Sequence, residues 1–352
     1  MSRRFDRPVF MPAVSTSPTG AGSRPFPRRG RRPPPRITTV NRRPLLRLAM
    51  SRQRATAFVP GHVTAFFSAH PAERPAAAGS RGAGVTLTDG VTVRVAADEA
   101  APGTAPAGSR TIDGESGTVG AVEDVLAALG LGRDAGDRPA VDVAVETDLP
   151  IGAGFGVSGA AALGAALAAN DAFDRGRSEN ELVRIAHEAE VGRGTGLGDV
   201  VAQARGGVPI RLEPGAPGVG ELDGIPADAR VEYVTFGELS TERVLGGDTA
   251  ALSAAGEDAL ARLRADPRLQ TLMDAARAFA READLLVPEV AEAIAAVEES
   301  EGDSPENSDD CGAAMAMLGR TVFALGTGLS DAGYDPEVCR VDAAGARLVE
   351  QQ

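Results

Sequence analysis

The chain contains no lysine and no tryptophan, so all 36 of its basic residues apart from histidine are arginine. The missing lysine excludes several chemistries. A Walker A loop places a lysine on the transferred phosphate. Protein-kinase sites rely on one beside the phosphates, and Schiff-base mechanisms need one as the nucleophile. Cysteine is scarce as well. Cys311 and Cys339 have neither metal-ligand nor redox spacing, and three histidines add little, so a zinc site is not expected. No run of 18 apolar residues occurs, so no membrane-spanning helix is expected. A reducing cytoplasm is the expected setting.

Charge is present in excess but unevenly placed. The net charge is −13, yet residues 1–49 hold twelve arginines, nine prolines and one acid, Asp6. The remainder holds 24 arginines against 48 acids, a net of −24. A surface that acidic argues against nucleic acid as a partner. Acid-rich, alanine-rich and lysine-free composition resembles that of a salt-loving, GC-rich organism, whose salt would screen the self-repulsion. Residues 1–49 lack a core pattern and are expected to be disordered. Met50 is read as the true start, with a transit peptide as the other reading of the arginine-rich leader.

The most informative stretch runs from Leu149 to Ala162, with Gly152, Gly154, Gly156 and Gly159 and one hydroxyl, Ser158. Val141–Glu146 before it alternates with period two and predicts a strand. The Ala/Leu run from Ala160 to Ala169 predicts a buried helix. Glycines allow close backbone approach to an anion, and a helix N-terminus offers free N–H groups to phosphate. The spacing therefore predicts a phosphate-cradling loop. Gly154 to Gly159 also fits Gly-x-Gly-x-x-Gly, the dinucleotide fingerprint of an NAD-binding oxidoreductase. That reading needs a second strand ending in an acid about 20 residues on, where Glu179–Ile185 has helical spacing instead. A non-enzymatic acidic binding module would leave the loop unexplained.

Periodicity predicts strands near 54–59, 63–68, 84–88, 91–96, 208–212, 231–236 and 321–326. It predicts helices near 119–129, 160–174, 178–191, 248–265, 268–284, 288–299 and 312–319, and one starting near Gly198. The Gly/Asp/Pro-rich stretch after Pro214 reads as an interdomain connection. Residues 50–225 and 226–352 are the two expected domains.

Three further segments join the loop: Pro60-Gly-His62 leading to His70, Ala186-His-Glu-Ala-Glu190, and Gly194-Thr-Gly-Leu-Gly-Asp199 with Gly206-Gly207 seven and eight residues beyond. Together these resemble the GHMP kinases, whose motifs are Pro-Gly-Lys leading to Gly-Glu-His, Pro-x-x-x-Gly-Leu-Gly-Ser-Ser-Ala, and an aspartate in Ser-Gly-x-Asp followed at that spacing by Gly-Gly. The likeness covers residues 54–352. Details such as Gly79-Ser-Arg-Gly-Ala-Gly84 and Ala316–Phe323 are most similar to the archaeal pantoate kinases. The resemblance implies an α+β fold of two domains, the first like ribosomal protein S5 and the second ferredoxin-like. It implies ATP-dependent phosphorylation of pantoate to 4-phosphopantoate for coenzyme A, with mevalonate, homoserine or shikimate as alternative acceptors. A homodimer is left open.

The implied roles follow. Asp199 would accept the proton of the attacking hydroxyl, its bland alternative being a helix cap. Gly152, Gly154, Gly156, Ser158 and Gly159 would hold ATP phosphates. Glu190, with Glu188 as rival, and Ser158 would hold Mg2+, which takes one or two carboxylates plus phosphates. Pantoate carries a carboxylate, so an arginine should bind it. Arg81 is the first candidate, Arg193 the second, and Ser80 and His62 complete the expected substrate site. This chain departs from the family motifs where His62 replaces the lysine, where Val157 replaces the first serine, and in Cys311–Gly319, which lacks the usual glycine density.

Overall fold

Alternating apolar residues drive the first hairpin. In strand β2 (Gly79–Ala97), Val91, Val93 and Val95 are fully buried while Arg94 is exposed. It pairs antiparallel with β1 (Arg54–His70) over the whole length of both. The sequence predicts four shorter strands here, broken at Pro60-Gly61 and Asp89-Gly90. The structure joins them into two, because irregularities at Pro60/Gly61 and Thr64/Phe66 absorb the breaks. The computed structural model describes residues 53–97, 108–132, 140–237, 249–301, 311–317 and 319–350. The expectations for residues 1–49 lie outside them.

The hairpin is the centre of a larger sheet. β5 (Val141–Thr147), the short β3 (Arg110–Ile112) and β4 (Glu115–Ser116), and β12 (Arg347–Val349) extend it in the order β12-β1-β2-β5-β3-β4. β6 (Val208–Glu213) joins it on β2 and carries β7 (Glu221–Ile225). The stretch after Pro214, expected as a connection, thus contains a strand. Its polar residues reflect an exposed edge, with Glu221, Leu222 and Asp223 facing solvent.

Four helices follow this sheet's strands: α1 (Gly120–Ala128), α2 (Val157–Ala172), α3 (Glu179–Arg193) and α4 (Asp199–Arg205). α2 packs on β1 and β2 on one side and on α1 and α3 on others. Its alanines are buried almost all round, as an apolar helix without a polar face must be. α3 opens with a capping box between Ser178 and Glu181. A helix therefore stands where the dinucleotide reading needs its second strand, and the oxidoreductase alternative falls.

A second sheet, ordered β11-β8-β10-β9, comprises β8 (Arg230–Thr235), β9 (Ala313–Ala316), β10 (Thr321–Leu325) and β11 (Glu337–Arg340). The helices around it are α5 (Ala250–Ala265), α6 (Leu269–Glu282), α7 (Pro288–Glu301) and the one-turn α8 (Gly328–Asp331). The helix expected at 312–319 is β9 instead. Ala313 to Ala316 are all buried, against β10 at the edge and under α6 and α7. A strand covered on both faces loses its alternation and imitates a buried helix. The described residues belong to one compact unit, in which β12 returns to pair with β1. Among the described residues no helix is long and apolar enough to cross a membrane.

Candidate active site

The glycine loop is built for close approach. Gly152, Gly154 and Gly156 have φ of 80°, 96° and 64°, a region that side chains other than glycine rarely adopt. Gly156 is the left-handed N-cap of α2, and no side chain caps that helix. The first-turn residues Val157, Ser158 and Gly159 line a cavity of about 280 Å³ together with Gly152, Gly154 and Gly156. Uncapped N–H groups and a positive dipole end thus face it. No acidic residue lies in the first turn to oppose an anion. Gly159 has a second duty: a Cβ there would lie 3.1 Å from Val200, so it permits α2 and α4 to pack closely.

Asp199, the first residue of α4, lines this cavity directly beside the loop, where a Cβ at Gly156 would lie 3.1 Å from the Asp199 Cβ. The N-cap is Gly198, and no side chain makes a capping bond there. The cap role open to Asp199 in the sequence is therefore not the one it occupies. Its Oδ1 is hydrogen-bonded to His62 Nδ1 at 2.8 Å. Burial alone would raise the Asp199 carboxyl, but the His62 hydrogen bond and the charge of Arg211 outweigh it and hold it below the usual carboxylate range. It stands as an anion at neutral pH. His62 is fully buried and does not line the cavity, so it meets Asp199 rather than the space a substrate would fill.

Ser158 Oγ donates to Glu190 Oε1 at 2.6 Å. Both line the cavity, and Glu190 is buried near the end of α3 while Glu188 is half-buried and outside the lining. Burial pushes the Glu190 carboxyl up, and the nearby Asp199 charge adds to it. Among the described residues no cluster of three or more His, Cys, Asp or Glu forms a ready-made metal cage. A carboxylate and a hydroxyl at the mouth of a phosphate loop are the hard-oxygen set that magnesium takes when phosphates supply the rest.

The expected carboxylate-binding arginines are engaged elsewhere. Arg81 donates from Nη1 to Glu257 at 2.6 Å and from Nε to the Leu212 carbonyl at 2.7 Å. Arg193 forms a two-pronged pair with Asp124 at the surface. Neither lines the cavity. Ser80, by contrast, does line it, 3% exposed. The arginine in the cavity is Arg211 of β6, which is 2% exposed. Its Nε and Nη1 have no hydrogen-bond partner among the described residues. Burial pushes its guanidinium down to about 10, with the Asp199 charge opposing, so it stays cationic at neutral pH. A buried cation without a counter-ion bond is costly, and an anionic ligand in the cavity would relieve it. Sequence reasoning missed Arg211 because Val208–Glu213 reads only as a strand. The available signal was a charged residue between Ile210 and Leu212 in an otherwise apolar run.

The cavity thus brings together a helix N-terminus free of acids, a buried arginine and an ionised carboxylate. Residues 118–207, which contain the glycine loop, α3 and Asp199, match the GHMP kinases N terminal domain model. A pantoate kinase of Thermococcus kodakarensis is 37% identical over 276 residues, 76% of this chain and 86% of that protein. The chain belongs to the GHMP kinase family. A pantoate kinase of Methanospirillum hungatei is 31% identical, covering 79% of this chain and 89% of the relative. A solved structure described as a phosphotransferase related to the CoA biosynthesis pathway superposes with a TM-score of 0.70. It is 31% identical and covers 84% of this chain and 98% of its own. As a GHMP kinase the chain is an ATP-dependent phosphotransferase of α+β fold.

Proposed function

We propose that the chain phosphorylates the 4-hydroxyl of pantoate with ATP, giving 4-phosphopantoate on the way to coenzyme A. The observation that carries this is Arg211: a buried guanidinium, its Nε and Nη1 without a hydrogen-bond partner among the described residues, in one cavity with Asp199 and the glycine loop. An acceptor held there needs both an anionic end and a hydroxyl. Pantoate has both, and the relatives of highest identity above bear its name.

The residues divide the work as follows. The glycine loop and the first turn of α2 bind the ATP phosphates through backbone N–H groups. Arg211, with Ser80 beside it, holds the pantoate carboxylate. Asp199 orients the hydroxyl and accepts its proton as that oxygen bonds to the γ-phosphorus. The bond from that phosphorus to the β,γ-bridging oxygen breaks, and ADP leaves. Phosphoryl transfer asks mainly for such alignment and charge placement. Glu190 and Ser158 are the residues that would hold Mg2+, which neutralises phosphate charge when bound. A cytoplasmic setting and a division into domains at residues 225/226 belong to the same reading.

The test is a coupled ADP-release assay of the full chain, run over pantoate, mevalonate, homoserine and shikimate. Turnover with pantoate well above the other three is expected. A clear preference for any of the others would overturn the assignment.

A further inference from the structure

We propose that His62 is a positioning residue: a neutral imidazole that holds the Asp199 carboxylate through Nδ1–H, with Nε2 bare. The importance of Asp199 rests on the kinase reading above, whereas the tautomer rests on the geometry and burial of the pair.

Three observations carry it. First, Nδ1 lies 2.8 Å from Asp199 Oδ1. An ionised carboxylate only accepts, so the proton between them sits on the ring nitrogen. Second, Nε2 is enclosed and has no hydrogen-bond partner among the described residues. A second proton there would place a donor and a positive charge in a fully buried site with nothing to accept it. Burial is the largest influence and opposes that protonation, as does the Arg211 charge; the Asp199 hydrogen bond and charge favour it but do not offset the burial. Third, the ring is wedged in place. The Gly84 backbone of β2 lies under it, and a Cβ at Gly84 would come within 2.4 Å of Nε2. The His62 backbone N–H donates to the Phe155 carbonyl at 2.9 Å, which fastens β1 to the glycine loop. The other polar atom near Nδ1 is Thr64 Oγ1 at 3.4 Å, too far to compete with the carboxylate.

The consequence is a division of labour. Where the family motif carries a lysine, one side chain can give Asp199 both a hydrogen bond and a positive charge. Here the hydrogen bond comes from His62 and the charge from Arg211. His62 fixes Oδ1 and so leaves the other carboxylate oxygen for the acceptor hydroxyl.

The experiment uses the full chain, nitrogen-15-labelled at histidine, without substrate. The chain has three histidines. His187 lies 2.9 Å from the Ala78 carbonyl through Nε2, so it supplies a contrasting Nε2–H tautomer in the same spectrum. The signal lost in His62→Asn assigns His62. We expect that signal to keep a protonated Nδ1 and an unprotonated Nε2 from about pH 8 to about pH 6, across the range where an ordinary histidine titrates. An imidazolium or an Nε2–H tautomer at neutral pH would overturn the proposal. A kinetic arm compares His62→Leu, which has no donor, with His62→Asn, which keeps one near the Nδ1 position. The leucine variant should lose about 10- to 100-fold in kcat, the range for a bond to a charged group, with KM for ATP little changed. The asparagine variant should recover much of that loss. Parent-like rates in both, or equal loss in both with intact folding, would also overturn it. If the leucine variant fails to fold, the spectrum of the parent still decides. If the parent does not phosphorylate pantoate, the kinase reading fails while the tautomer is judged separately.

Discussion

The hydroxyl of Thr321 on β10 donates to the carbonyl of Ala153 in the glycine loop at 2.9 Å, fully buried. The loop is therefore braced from the second sheet. Gly319 approaches the same carbonyl so closely that a Cβ there would lie 2.0 Å from it, and Phe155 packs against Tyr233 with ring centroids 4.8 Å apart. Thr321→Val keeps the shape and removes the donor. The carbonyl it leaves buried and unpaired should lower stability by about 1–3 kcal/mol, read by denaturant melts. KM for ATP should rise while KM for pantoate stays put, since the brace touches only the phosphate side. Equal shifts in both would show that the brace serves the whole cavity.

Arg211 and Arg81 make a matched pair of tests. Arg211→Ala should raise KM for pantoate by roughly 10- to 150-fold, the value of a charge-assisted bond, and leave KM for ATP nearly unchanged. Arg81→Ala removes an ion pair with the partly exposed Glu257 and should act mainly through stability. Steady-state kinetics on both variants separates them. A larger pantoate effect at Arg81 than at Arg211 would reverse the assignment made from burial.

The sequence singled out most of the segments that line the cavity and left the supporting contacts hidden. The glycine loop announced itself because positive φ demands glycine, and Asp199 because its spacing to Gly206-Gly207 is local. Helix geometry said that only one of Glu188 and Glu190 should point inward, since positions two apart do not share a face; the fold shows that Glu190 lines the cavity. Arg211 stayed invisible because its meaning depends on β6 pairing with β2 at Gly82↔Arg211, a long-range fact. Arg81 was singled out because glycines surround it, and its partner Glu257 on α5, 176 residues away, was equally out of reach of the sequence. The error at 312–319 has the same root, since burial on both faces erased the period that distinguishes strand from helix.

Glu190→Gln tests the metal-holding pair. It keeps the shape and an acceptor for Ser158 but loses the negative charge. The magnesium concentration for half-maximal rate should rise at least about 10- to 100-fold, the cost of losing even an outer partner of a metal ligand, while protein folding is unaffected. An unchanged magnesium dependence would move the metal away from Glu190.

Burial holds His187 below its ordinary 6.5. The unfolded chain therefore binds a proton below about pH 6.5 that the folded chain refuses, so stability falls as pH drops through that window. His62 adds in the same sense. Melts at about pH 7.5 and about pH 5.5 should show lower stability for the parent at the acid value, with a smaller drop in His187→Gln, which has no proton to gain. A parent as stable at the acid value as at the neutral one would contradict the buried neutral state.

Asp199→Asn is the most direct test of the account. The change is nearly isosteric, retains an acceptor toward His62 and removes the charge and the base. Because α4 is capped at Gly198, helix stability should barely change. Pantoate turnover should fall roughly 10²- to 10⁴-fold, the usual contribution of a positioned base, with ATP binding and the melting curve close to those of the parent. A purified asparagine variant that phosphorylates pantoate at the parent rate would contradict the central role given to Asp199.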